Sequence, residues 1–229
     1  MAQINTAEQA KAEYIEAMGE TLGPQFYALW QEVAWLHIKW NEYVELFGKK
    51  PSRIELLNRA ASHFFGIVQD LLWEETILHI ARLTDPPKHG KHEHLTIKAL
   101  PILVDDVGLK EIVQNLIALA IAKAEFCRQW RDRRIAHSEL RLAIDEGVKP
   151  LPPASRRDVR EAIGSIDDVL NAVTSHYLDS TTHFDVVQQA NGAEALLYVL
   201  DDGLRADAER TARIHRKEYR KEDIAVRDL

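Results

Sequence analysis

Seven consecutive residues, Arg131-Asp132-Arg133-Arg134-Ile135-Ala136-His137, carry the side chains in this chain best suited to chemistry. A histidine exchanges a proton near neutral pH. An arginine stays charged and offers phosphate a fork of donors. Held together, the two can cut RNA without a metal. The 2′-hydroxyl attacks its own phosphate, Arg131 stabilises the charge that develops there, and His137 moves a proton. Asp132 then orients a donor or bonds to an arginine. The surroundings favour an anion. Between Lys123 and Arg134, five basic residues (Lys123, Arg128, Arg131, Arg133, Arg134) stand against two acidic ones (Glu125, Asp132), a local +3 in a chain of net charge −7. Arg128, Arg133 and Arg134 are therefore expected to contact RNA phosphates.

Spacing limits how these residues can meet. Arg131 and His137 are six apart, so an ideal α-helix leaves them roughly 120° apart around its axis. Arg133 and Arg134 share a face with His137. Pairing Arg131 with His137 then needs a frayed helix end, long side chains, or two copies across a two-fold axis.

The elements that must position this segment are helical. Valine, isoleucine and threonine nowhere cluster into alternating strand-like runs. Asn5 to Gly19 is polar and reads as a peripheral helix or tail. Gly23-Pro24 is expected to open the first strong helix, with Phe26, Trp30, Val33, Trp40, Val44 and Phe47 as its core stripe. Ser52 and Glu55 form a capping-box pattern before a second helix of roughly thirty residues that Asp85-Pro86-Pro87 breaks. Leu95 to Val104 reads as a short helix interrupted by Pro101. A third long helix is expected from Leu109 to about Leu140, with Ile112, Leu116, Leu119, Ala120, Lys123, Phe126 and Trp130 on its apolar and basic faces. Gly147 to Pro153 is a turn or linker. Ser155 and Asp158 start the next helix, which buries Val159, Ile163, Ile166, Val169, Leu170, Val173 and Tyr177. A last helix begins near Asn191-Gly192 and grows highly charged after Gly203.

Composition sets outer bounds. A chain of 229 residues, 46% hydrophobic and 28% charged, can bury a full core. Its longest apolar runs are too short for a bilayer. The first residues lack the basic start and apolar stretch of a signal peptide. A single cysteine, Cys127, excludes an internal disulfide framework and reads as a small core filler. A cytoplasmic protein with no membrane partner is expected. The net negative charge argues against coating nucleic acid through bulk electrostatics but leaves room for a local site.

The run from Arg131 to His137 resembles the signature of the HEPN superfamily (higher eukaryotes and prokaryotes nucleotide-binding): an arginine, a polar residue, then a histidine after four to six intervening positions. Among the arginines only Arg131 meets the spacing, with five residues between, and Asp132 fits the polar position. More of the chain is similar to the abortive-infection AbiU-type branch: Leu56-Leu57-Asn58-Arg59-Ala60-Ala61-Ser62-His63-Phe64-Phe65, Leu72-Trp73-Glu74-Glu75 and Ile80-Ala81-Arg82-Leu83-Thr84-Asp85. The resemblance spans about Pro24 to Leu178. It implies an antiparallel helical bundle that dimerises with its motif helices facing each other. It also implies metal-independent endoribonuclease activity, used in phage defence or as a toxin. Some HEPN toxins carry a tyrosine two residues after the histidine, modified by a partner nucleotidyltransferase. Glu139 stands there in this chain.

Other candidates read more plainly. His89, His92 and His94 with Glu93 are too loosely spaced for a metal site and read as a solvated loop. Trp30, Trp35, Trp40, Phe64, Phe65 and Trp73 sit at helical spacings and are expected in the core rather than stacking on bases. Glu75 and Arg82, seven apart, are expected to form an ion pair. With Asp85 they are candidates for supporting the motif. The resulting expectation is an all-α, HEPN-like bundle over 23–180, a tail or peripheral helix over 1–22 and a C-terminal helical extension over 181–229. It would act as a homodimer on RNA, with no cofactor and no metal, and with an antitoxin or regulatory protein as a further partner. The alternative is a non-catalytic helical module that binds nucleotide, RNA or a protein.

Overall fold

A computed structural model describes residues 6–136, 139–144, 150–186 and 191–225. The protein is an all-α bundle. Helix α1 (Ala7–Phe47) is followed by α2 (Pro51–Leu83), a hairpin of β1 (Lys88–His89) and β2 (His92–Glu93), and a 3₁₀ turn (Ile97–Ala99). Next come α3 (Leu100–Leu103), α4 (Val107–Lys123), α5 (Glu125–Trp130), a π turn (Arg131–Ile135) and α6 (Leu140–Ala143). Helix α7 (Arg156–Leu178), a 3₁₀ turn (Phe184–Val186), α8 (Ala193–His215) and α9 (Lys221–Ile224) complete it. Among the described residues no helix is long and apolar enough to cross a membrane.

The described residues divide into two compact units. One holds 6–40 and 72–186; the other holds 41–71 and 191–225. The first unit carries the motif. Its core is built where α4 packs along α7. Leu109, Val113, Ile117 and Ala120 of α4 are buried, as are Val159, Ala162, Ile163, Ile166, Val169, Leu170 and Val173 of α7. Each Leu, Val or Ile side chain so buried contributes roughly 1.5–3 kcal/mol. Phe26, Leu29, Val33 and Leu36 of α1 and Ile77, Ile80 and Leu83 of α2 add their buried stripes to the same unit.

Helix starts follow the sequence closely at α7. Ser155 Oγ accepts the Asp158 N–H at 3.2 Å and Asp158 Oδ2 accepts the Ser155 N–H at 2.9 Å, a closed capping box. The Ser155 hydroxyl, which donates to Asp158 Oδ2 at 2.7 Å, and then the Ser155 N–H hold the Asp158 carboxyl below its ordinary pKa. Elsewhere the boundaries differ from expectation. The polar segment after residue 6 is helical, in line with the peripheral-helix reading, but the break falls at Gly19, where φ is 82° and only glycine is at ease. Gly23, expected to open the helix, instead lets the chain cross itself closely. A Cβ there would lie 2.6 Å from the Ile15 Cα. Pro51 begins α2, so Ser52 lies in its first turn rather than capping it. Pro101 sits at the start of α3, where a missing N–H costs nothing, and does not interrupt it.

Two expectations about burial are corrected. Trp35 is 55% exposed and Phe64 is 59% exposed, so neither belongs to the core. The expected apolar face of the third helix is turned: Val113 and Ile117 are inside, while Ile112 and Leu119 are 53% and 49% exposed. That helix is also not continuous to Leu140. It is divided at Ala124, widens into the π turn at Arg131, and resumes as α6.

Candidate active site

The motif begins where the helix changes its winding. From Arg131 the backbone follows a π turn, closed by the Ala136 N–H donating to the Arg131 carbonyl at 2.8 Å. This is an i to i+5 bond, so each residue advances less around the axis than in an α-helix. The regular α-helical period therefore does not hold across Arg131–Ile135. Single π turns of this kind are frequent at functional sites. His137 and Ser138 lie outside the described residues.

Arg131 is held on two sides. Its Nε donates to Asp132 Oδ1 at 2.7 Å, and Nη1 donates to Asp85 Oδ2 just beyond the end of α2. The side chain is 21% exposed. The Asp132 bond first, and the Asp85 bond against the cost of burial, raise the guanidinium pKa above its ordinary value. Two of its donors are thus fixed by carboxylates, and the fork still has others to offer.

The neighbouring arginines serve different ends. Arg128 Nη2 donates to the Ile121 carbonyl and to Glu125 Oε2, both at 2.7 Å, and Nη1 reaches Thr84 Oγ1 at 3.3 Å. It ties the end of α4 to the end of α2. Its bond to Glu125 holds that carboxyl below its ordinary pKa. Arg133 Nε donates to Glu139 Oε2 at 2.6 Å. Arg134 lies 5.4 Å over the Trp130 ring and 3.8 Å from Glu74. Its guanidinium is the most exposed of the four. Trp130 is itself fixed by its Nε1–H to the Pro152 carbonyl at 2.9 Å.

A family model for AbiU2, a HEPN family, matches residues 19–196. The chain belongs to the AbiU2 family of HEPN proteins. The match covers α2, the hairpin, the motif and α7, and it extends further at both ends than the similar stretches seen in the sequence. Neither a curated protein nor a solved structure gave a match.

In this AbiU2 protein the supporting acidic residues take separate places. Asp85 touches Arg131, whereas Glu75 and Arg82 pair with each other at 2.9 Å and extend into a second cluster. That cluster has no local signature. Lys39 Nζ of α1 donates to Glu75 Oε1 at 2.8 Å and to His79 Nδ1 at 2.9 Å. His79 is 2% exposed, and its Nε2 lies 2.8 Å from Glu32 Oε2, out of line for a hydrogen bond. Burial, and then the Lys39 charge, push the His79 pKa down to about 4. Burial alone would raise the Glu75 pKa; the Lys39 bond and the nearby cations outweigh it and lower it.

A second buried pair also escaped the sequence. His37 Nε2 lies 2.9 and 3.0 Å from the two Asp167 oxygens, and its ring stacks on Phe184 with centroids 5.5 Å apart. Burial raises the Asp167 pKa, partly opposed by His37. It joins α1 to α7. Of the three loop histidines, His89 and His92 lie in the β hairpin as register partners, and His94 follows its second strand. Among the described residues no three metal-ligating side chains are grouped to hold an ion.

Proposed function

We propose that the protein is a metal-independent endoribonuclease of the HEPN type, working as a homodimer in defence or toxin biology. The reading rests on one observation above all: the π turn opens on Arg131 of the motif, and two carboxylates orient its guanidinium. A guanidinium so held loses little entropy on meeting a phosphate. The reaction balances with side chains alone. His137 takes the proton of the ribose 2′-hydroxyl, whose oxygen attacks the adjacent phosphorus. Arg131 stabilises the equatorial oxygens. The 5′-oxygen leaves with the proton that the His137 imidazolium gives back, giving a 2′,3′-cyclic phosphate and a 5′-hydroxyl end. Arg134 is the exposed neighbour best placed for a flanking phosphate.

The dimer is supported by the outward face of α4. Ile112 and Leu119 are two turns apart on one side, with half-buried Leu116 between them. Such an apolar stripe, on the helix that leads into the motif, suits the same stripe of a second copy. Incubation with RNA in EDTA should yield 2′,3′-cyclic phosphate ends, and His137→Ala should abolish them while the far-ultraviolet spectrum is retained. Cleavage undiminished by His137→Ala would overturn the mechanism.

The non-catalytic reading keeps one point in its favour. Asp85 and Asp132 already satisfy much of the Arg131 charge, as they would in a purely structural role. RNA binding without cleavage by the wild-type protein would decide for it.

A further inference from the structure

The hairpin that follows α2 has no part in the chemistry above, yet it is rooted in the motif. Its base is Thr84 and Asp85, the two residues that Arg128 and Arg131 grip. Buried Thr96 Oγ1 lies 2.9 Å from the Leu83 carbonyl and 2.8 Å from that of Asp85, and so fastens the far strand to the same root. The His94 N–H donates to the Pro87 carbonyl at 2.8 Å and closes the base. Gly90, with φ of 61°, supplies the positive dihedral the tight turn requires.

Within 88–94 there are two lysines, three histidines and one glutamate, all exposed. The register divides them by face. Lys88 pairs across from Glu93, which offsets its charge, while His89 pairs across from His92 with Lys91 in the turn beside them. The His89–His92 face therefore offers two imidazole rings with no acid between them, and the turn next to it adds the Lys91 ammonium. Such rings stack on bases or bond to phosphates, and a turn lysine adds a point charge.

We infer that this hairpin is a substrate arm: it holds the RNA strand a few nucleotides away from the bond at Arg131, with His89, Lys91 and His92 as its contacts. The inference rests on the ribonuclease reading for the identity of the strand. His89 is four residues from Asp85, which caps its reach at about 14 Å for an extended chain. That corresponds to roughly four nucleotides at ~3.4 Å of rise each. RNA that extends at least that far from the scissile bond should feel the arm, and a dinucleotide should feel it little.

Binding and cleavage separate the two claims. In a His137→Ala background, affinity for a fluorescent 12-nucleotide RNA should fall about tenfold when His89, Lys91 and His92 are all replaced by alanine, and the salt slope should flatten by about 0.7 per lost phosphate contact. Glu93→Gln, which removes the acid across from Lys88, should tighten binding. In the catalytically competent protein the triple variant should raise KM for the 12-mer far more than for a dinucleotide. Unchanged 12-mer affinity, or equal losses on both lengths, would overturn the arm. Absence of cleavage by the wild-type protein would overturn the ribonuclease reading, and the binding measurements would still decide the arm.

Discussion

Arg131 reaches back 46 residues to bond Asp85, and this contact joins the motif turn to the end of α2. The pair links two otherwise separate features, the π turn that opens on Arg131 and a hairpin rooted beside it.

Arg131→Lys should not rescue cleavage. Lysine keeps the charge but has no planar fork to hold Asp85, Asp132 and a phosphate together. Single-turnover cleavage is expected to fall about a hundredfold, the scale of losing an oxyanion donor. Asp85→Asn should lower kcat about tenfold and cost about 1 kcal/mol of stability, modest because both side chains are partly exposed. Wild-type rates for both variants would place this pair outside the mechanism.

If the cleft is shared across a two-fold axis, broken subunits should repair each other. Arg131→Ala and His137→Ala proteins are each expected to be inactive. After mixing and exchange, mixed dimers should hold one intact composite site, restoring about a quarter of wild-type activity. No recovery despite proven exchange would mean that both groups act within one protomer. Leu119→Glu should give a monomer by light scattering, because it puts a charge on the exposed stripe of α4.

Stability should rise with pH across a defined window because of His79. Its ordinary pKa is about 6.5, and in the fold it is about 4. Between these values the unfolded chain binds a proton that the folded chain does not, so the native state weakens as pH falls. Above the upper value its contribution is constant. The charged groups that face it are Lys39, Arg82, Glu32 and Glu75. His79→Gln should flatten the slope of denaturation free energy between pH 4 and 6.5, a difference on the order of 2–3 kcal/mol. An equally steep profile would assign the dependence elsewhere.

Gly23→Ala tests the close crossing in α1. The new methyl would meet backbone at Ile15 and Tyr14, which cannot swing aside as a side chain does. A loss of about 2 kcal/mol or more is expected in chemical denaturation, whereas the same change in an ordinary helix interior would stabilise. A stabilised variant would show that the two stretches do not pack this closely.

Much of this protein is local in origin and so legible in one dimension. The periodic stripe of α7, its Ser155–Asp158 cap and the run from Arg131 to His137 depend on residues three to six apart. The family and the all-α class follow from such patterns. Burial is different. The third helix carries apolar residues on more than one side, and only packing against α7 put Val113 and Ile117 inside and left Ile112 and Leu119 facing out. The π turn is also invisible to a fixed helical period, because one widened hydrogen bond changes the phase of every residue after it. The long-range polar pairs, Asp85 on Arg131, Lys39 on Glu75 and His79, and His37 on Asp167, join residues 36 to 130 positions apart. The sequence alone determined which residues were available for chemistry. Their pairing was decided by the tertiary fold, since a charge brought out of water must find whichever partner the packing of distant helices places beside it.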